Sequence, residues 1–243
     1  MCLLLLAVDV VPARPLLLLA NRDEFHARPS AAAAPWPDLP GVRGGRDLEA
    51  GGSWLAVHDN GRIAAVTNIR LLNPQRGPRS RGDLVRDFVA GQISAADYVA
   101  ELGTRLGDYA PFNLVVADTR EAWCLQSPSA KAQRLPPGLH TVSNGPLDAP
   151  WPKMRRLCER YAAASAAGAD DAALLDLLGD THQPGDADLP DTGVGLEIER
   201  FLAPIFIRGA LYGTRASTLA WRDGQGATGL LERRFGPDGV RLD

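Results

Sequence analysis

The chain is poor in the residues on which disulfide-stapled folds and metalloproteins depend. Its three cysteines, Cys2, Cys124 and Cys158, are scattered along 243 residues. An odd, widely spaced set gives no disulfide framework and fits a reducing compartment. Its four histidines, His26, His58, His140 and His182, are isolated and show no metal-ligand spacing, so no metal site is expected. Excess charge is missing too. With 26 basic against 29 acidic residues the net charge is -3, which argues against a broad nucleic-acid surface. Long apolar runs are absent, none approaching the roughly 20 residues of a membrane-spanning helix. The leucine-rich start is not read as a signal peptide, because no Lys or Arg precedes it, Asp9 interrupts it and no small-residue cleavage site follows. A cytoplasmic protein is expected. Nucleophile elbows and phosphate loops are also lacking: Ser53 in Gly51-Gly52-Ser53-Trp54 has no following glycine, and Gly44/Gly45 and Gly51/Gly52 match no phosphate-binding pattern.

What is present suffices for one large core, read as one domain over residues 1–243. A chain of this size removes roughly 70–75% of its unfolded surface from water. The chain is organised around its first 24 residues. Residues 3–8 and 16–20 are apolar runs of strand length, separated by the turn-like Val11-Pro12-Ala13-Arg14-Pro15. Pairing them as a hairpin brings Asn21-Arg22-Asp23-Glu24 back beside Cys2. Residues 30–40, rich in alanine and proline, read as an extended surface segment. Gly44-Gly45-Arg46-Asp47 and Gly51-Gly52 read as the ends of a loop. Strands follow at 53–58 and 63–68 around an Asp59-Asn60-Gly61 turn. Residues 73–81 form a basic loop, and Ser80 with Asp83 opens a helix to Ala90. Further helices are expected at 94–106, 151–167 and 170–178, with proline tolerated at the start of the third. Strands are expected at 112–117, 121–126, 139–143, 205–207, 214–221 and 228–235. Residues 236–243 read as a tail or a final edge. Alternating strand and helix pairs point to two antiparallel sheets with helices layered outside them.

Cys2 carries the most specific chemistry. Removal of Met1 would leave its α-amine free, with a reference pKa of about 7.7–8.0, fit to act as a general base near neutral pH. The alternative is a buried thiol packing as a small hydrophobe. Arg22 could fix a carbonyl or carboxylate with its rigid fork of donors, and Asp23 could steer the amine or thiol; equally, the cluster could be a solvated strand end. Asn68 and Asn144 stand where strands run into loops. Their amides suit oxyanion donation, or they bond their own turns. Arg215, in Tyr212-Gly213-Thr214-Arg215, could bind an anion or pair at a sheet edge. Asp188-Leu189-Pro190-Asp191-Thr192-Gly193 reads as an ordered loop or lid.

These motifs resemble those of the NRDE family, also named for transport and Golgi organisation. The matches are Met1-Cys2, Asn21-Arg22-Asp23-Glu24-Phe25 with Arg28-Pro29, Gly45-Arg46-Asp47, Gly52-Ser53-Trp54, Thr67-Asn68-Ile69-Arg70 and Ser80-Arg81-Gly82. They continue through Ser143-Asn144, Trp151-Pro152-Lys153, Leu189-Pro190-Asp191-Thr192-Gly193 and Tyr212-Gly213-Thr214-Arg215. The family in turn resembles, more faintly, the N-terminal-nucleophile hydrolases of the choloylglycine hydrolase and penicillin acylase kind. That resemblance implies an α+β fold, an αββα four-layer sandwich with two antiparallel sheets between helix layers. It implies Cys2 as nucleophile, Arg22 and Asp23 beside it, Asn68 and Asn144 as oxyanion and amine contacts, and Arg215 as a late site arginine.

Three functions are weighed. The first is a cysteine-dependent hydrolase of a non-peptide C–N bond, with no cofactor required. The second is a binding or trafficking protein for haem or an acyl thioester, as the family's links to haem trafficking and acyl-CoA metabolism imply, with Arg22, Arg70 and Arg215 meeting carboxylates or phosphates. The third is a scaffold with no small-molecule site. The sequence leaves the oligomeric state open.

Overall fold

The computed structural model describes residues 2–72, 77–127 and 129–242. The opening hairpin forms as expected. Strand β1 (Cys2–Val11) pairs antiparallel with β2 (Arg14–Phe25). The chain continues through β3 (Ser30–Pro35), β4 (Val42–Asp47), β5 (Leu55–His58) and β6 (Ile63–Asn68), then α1 (Arg81–Ala90) and α2 (Ala95–Leu102). Strands β7 (Phe112–Ala117), β8 (Ala122–Gln126), β9 (Lys131–Arg134) and β10 (Gly138–Val142) follow. The third part holds α3 (Pro152–Ala166), α4 (Asp171–Asp176), α5 (Leu196–Leu202), β11 (Tyr212–Arg222) and β12 (Thr228–Arg234).

Two antiparallel sheets result, one ordered β10-β1-β2-β11-β12 and the other β3-β4-β5-β6-β7-β8-β9. Side-chain alternation distributes their residues between layers. Leu4, Leu6 and Val8 of β1, with Leu16, Leu18 and Ala20 of β2, meet Leu55, Ile63, Val115 and Cys124 of the other sheet. Leu3, Leu5, Ala7, Leu17 and Leu19 point outward against Met154, Leu157 and Tyr161 of α3 and Leu174 and Leu175 of α4. The outer face of the second sheet is covered by Leu84, Val85 and Phe88 of α1 and Tyr98, Val99 and Leu102 of α2. The αββα sandwich is thus present, with an apolar layer at each of its three junctions. Burial on both faces explains why β1 and β2 read as continuous apolar runs rather than alternating ones.

Several local expectations are corrected. Gly44-Gly45 lies within β4, not in a loop. A Cβ on Gly44 would come 2.6 Å from the Leu55 carbonyl oxygen and one on Gly45 2.2 Å from the Trp54 ring, so these glycines permit close approach rather than a turn. The prolines of 30–40 do leave room for a strand, β3, at the sheet edge, where proline is tolerated. Residues 205–207 are buried but form no strand. Their backbone bonds to other partners, Phe206 N–H to the Asp180 carbonyl and the Ile207 carbonyl to Thr214 N–H. The second helix stops at Leu102, before Gly103. The short strand β9 and helix α5 are additions. Of the basic loop at 73–81, residues 73–76 lie outside the described residues, as do Met1 and Asp243. Gly61, at the expected turn, has φ +92°, which suits glycine there. Among the described residues, no helix is long and apolar enough to cross a membrane.

Candidate active site

The register of the first hairpin sets Cys2 directly opposite Arg22. Directly opposed residues share one face of a sheet, here the face that looks between the sheets. At this end the apolar filling gives way to a cavity of about 420 Å³ whose walls include Cys2, Arg22, Asp23, Trp54, Asn68 and Arg81. Cys2 is 9% exposed. Arg22 sits over the Trp54 ring, its Cζ 4.2 Å from the centroid, and stands 3.8 Å from Asp47. Trp54 is seated against Gly45 on β4. The guanidinium is therefore held by a ring and a carboxylate while lining the same cavity as the thiol.

Asp23 follows Arg22 and so belongs to the other face of β2. Its carboxylate accepts a 2.7 Å hydrogen bond from the Thr214 hydroxyl, and its carbonyl accepts one of 3.0 Å from Tyr212. Burial pushes the Asp23 carboxyl above its ordinary range, opposed by Lys153, Thr214 and Arg70. Burial also pushes the Cys2 thiol up, and the Asp23 charge adds to this while Arg22 opposes it. A thiol raised in this way stays protonated near neutral pH, so a nucleophilic role requires a base.

The two asparagines meet each other. The Asn144 amide donates to the Asn68 carbonyl at 2.8 Å, and its side-chain oxygen accepts from Ser143 at 3.2 Å. The same Ser143 hydroxyl lies 3.0 Å from the Cys2 carbonyl, to which it can donate. Asn68 lines the cavity; Asn144 stands behind it and ties β6 to the end of β10. The two arginines taken as ligand-binding are engaged elsewhere. Arg70 is buried in an ion pair with Glu199 of α5. Arg215 sits at a β-bulge, where the pairing of β11 with β2 slips. Such bulges re-aim a side chain, and here the guanidinium donates to the carbonyls of Phe25 and Arg28, each at 2.9 Å.

The profile of the family described as Transport and Golgi organisation 2 matches residues 1–237. The chain belongs to the Transport and Golgi organisation 2 family. Its relatives include the Transport and Golgi organization 2 homolog of Mus musculus, 31% identical over 96% of this chain and 92% of that one. The Bos taurus homolog is also 31% identical, over 100% of this chain and 96% of its own. Among solved structures, the Caenorhabditis elegans N-acylethanolamine-hydrolyzing acid amidase ortholog superposes with a TM-score of 0.58 at 9% identity, covering 95% of this chain and 100% of that one. At that identity the likeness is one of fold, that of the N-terminal-nucleophile hydrolases.

This Transport and Golgi organisation 2 member also places residues at the site to which sequence reasoning gave no role. Lys153 of α3 is buried, its ammonium 3.1 Å from the Leu202 carbonyl. Burial draws its pKa down to about 8, with Asp23 the leading opposing charge. A lysine among the buried positions 153, 154, 157 and 161 of α3 was the available signal. Trp54, Thr214 and Arg81 all stood inside family motifs, but the first two meet Arg22 and Asp23, and the third lines the cavity, only through contacts between segments far apart in sequence.

Proposed function

We propose that the protein is a cysteine-dependent amidohydrolase acting on a non-peptide C–N bond, with Cys2 as nucleophile. The observation that carries this reading is the placement of the Cys2 thiol and the Arg22 guanidinium on one face of a sheet, in the wall of one cavity. Removal of the residue before Cys2 frees an α-amine adjoining the sulfur. The amine takes the thiol proton as the sulfur attacks the amide carbonyl. The C–N bond then breaks, the proton passes to the leaving amine, and a thioester remains. Water attacks the thioester, releasing the acid and restoring the thiol. Asn68 supplies an amide toward the oxyanion and Asn144 positions Asn68. Asp23, anchored by the Thr214 hydroxyl, steers the freed amine. The relative named as an N-acylethanolamine-hydrolysing amidase makes N-acyl amides the first substrates to try.

The reading as a carrier of haem or an acyl thioester draws on Arg22, Arg70 and Arg215. Arg70 is paired with Glu199 and Arg215 is bonded to backbone carbonyls, so two of its three cations are already engaged within the fold. The decisive measurement is hydrolysis of a panel of N-acyl amides, with intact mass recorded on the active material. Cys2→Ser is expected to lower turnover by about 10³-fold or more, and active protein is expected to begin at Cys2. Turnover unchanged in Cys2→Ser, or full activity with Met1 retained, overturns the mechanism.

A further inference from the structure

The cavity wall carries four arginines, and their partners divide them unequally. Arg22 is stacked on Trp54 and stands near Asp47. Arg28 is paired with Asp47 at 2.7 Å and with Glu49 at 3.3 Å. Arg79 is paired with Asp87 at 2.7 Å and approaches Asp83. Arg81 differs. Its one described hydrogen bond runs from Nη1 to the Pro111 carbonyl at 3.2 Å, and among the described residues no carboxylate lies within ion-pair distance of its guanidinium. Glu24, in the same cavity lining, uses its Oε1 to accept from the Phe25 N–H and reaches Arg81 only through its charge.

Its placement is fixed by packing. Arg81 is the first residue of α1, and the preceding Ser80 caps the helix by accepting from the Gly82 N–H. Gly82 presses against the loop before β5: a Cβ on Gly52 would lie 2.3 Å from the Gly82 carbonyl carbon, and Ser53 N–H donates to the Gly82 carbonyl. The loop that delivers Trp54 to Arg22 thus also sets the start of α1. A half-buried guanidinium, partly dehydrated and lacking a carboxylate of its own, is held in the wall of the cavity that contains the thiol.

We infer that Arg81 is a specificity-determining residue that receives a carboxylate on the substrate, so that the preferred amides are anionic, of the N-acyl amino acid class. A charge-assisted bidentate contact to a carboxylate is the natural completion of such a guanidinium. The inference rests on the proposal that Cys2 is the reacting group, but its test does not need hydrolysis. Two alkylating reagents of nearly the same size, anionic iodoacetate and neutral iodoacetamide, react at the same sulfur by displacing iodide. Their rates are measured at Cys2 by peptide mass mapping in the wild type, Arg81→Gln and Arg81→Lys.

The ratio of iodoacetate to iodoacetamide rate is expected to fall by about tenfold in Arg81→Gln, with the iodoacetamide rate changing less than about twofold, and to be largely kept in Arg81→Lys. An unchanged ratio in Arg81→Gln overturns the inference. So does equal slowing of both reagents, which would mark a role in setting the thiol itself. A protein that shows the selectivity yet cleaves no amide keeps the anion site and loses the hydrolase. One that cleaves amides without the selectivity does the reverse.

Discussion

Asn21 opens the Asn-Arg-Asp-Glu cluster, yet its side chain does structural work. Its amide donates to the Leu178 and Ile205 carbonyls at 2.9 and 2.8 Å and its oxygen accepts from Ser217 at 2.6 Å. It fastens the five-stranded sheet to the chain beyond α4. Asn21→Ala leaves three buried polar groups without a partner, at about 1–3 kcal/mol each before relaxation. A loss of roughly 2–4 kcal/mol in urea unfolding is therefore expected. Strand alternation separates the cluster by face: Asn21 and Asp23 toward the helix layer, Arg22 and Glu24 toward the space between the sheets. The return of this cluster to Cys2 was legible in the sequence from the hairpin, whereas its division between two faces comes from the pairing register. The roles of Arg70 and Arg215 were not legible. Whether a guanidinium is open or already bonded depends on Glu199 in one case and on the carbonyls of Phe25 and Arg28 in the other, and neither partner has a local sequence signature.

At the scale of elements, the hairpins and capped helices were the most readable parts. Ser80 caps α1 and Ser94 caps α2, each by its own hydroxyl, and both starts follow from local chemistry. The paired glycines misled, because a glycine needed for close approach looks the same in sequence as one needed for a turn. Gly52 is such a contact point, and α1 rests on it. Gly52→Ala is expected to push the start of α1 away from the β5 loop. That would cost about 1–3 kcal/mol of stability by overpacking and weaken the iodoacetate preference assigned to Arg81, measurable by thermal unfolding and by the alkylation ratio.

The layered architecture of the molecule was readable because its two longest apolar runs lack alternation, and only strands buried on both faces tolerate that. The residues that close the ends of the sandwich were less readable, since they come from far apart. His140 of β10 shows what such closures contribute. Its ring contacts the Asp148 carboxylate and the Pro136 carbonyl, each at 2.9 Å. Both partners are acceptors, so the imidazolium is the form they favour. The hydrogen bond to Asp148 raises its pKa above the ordinary 6.5. A folded value above the unfolded one means stabilisation that is complete below about 6.5 and fades as pH rises through the folded value. The melting-temperature gap between wild type and His140→Gln is therefore expected to be widest on the acid side of 6.5 and to narrow in mildly alkaline buffer.

The five-stranded sheet has one more consequence. Strand β2 is flanked by β1 on one side and β11 on the other, so Asp23 meets Thr214 across 191 residues of sequence. Until β11 arrives, β2 presents an unsatisfied edge and its Asp23 lacks the Thr214 hydroxyl. Contacts spanning this much sequence form slowly. The surroundings of the Cys2 sulfur are thus completed only once the long-range pairing of β2 with β11 has formed.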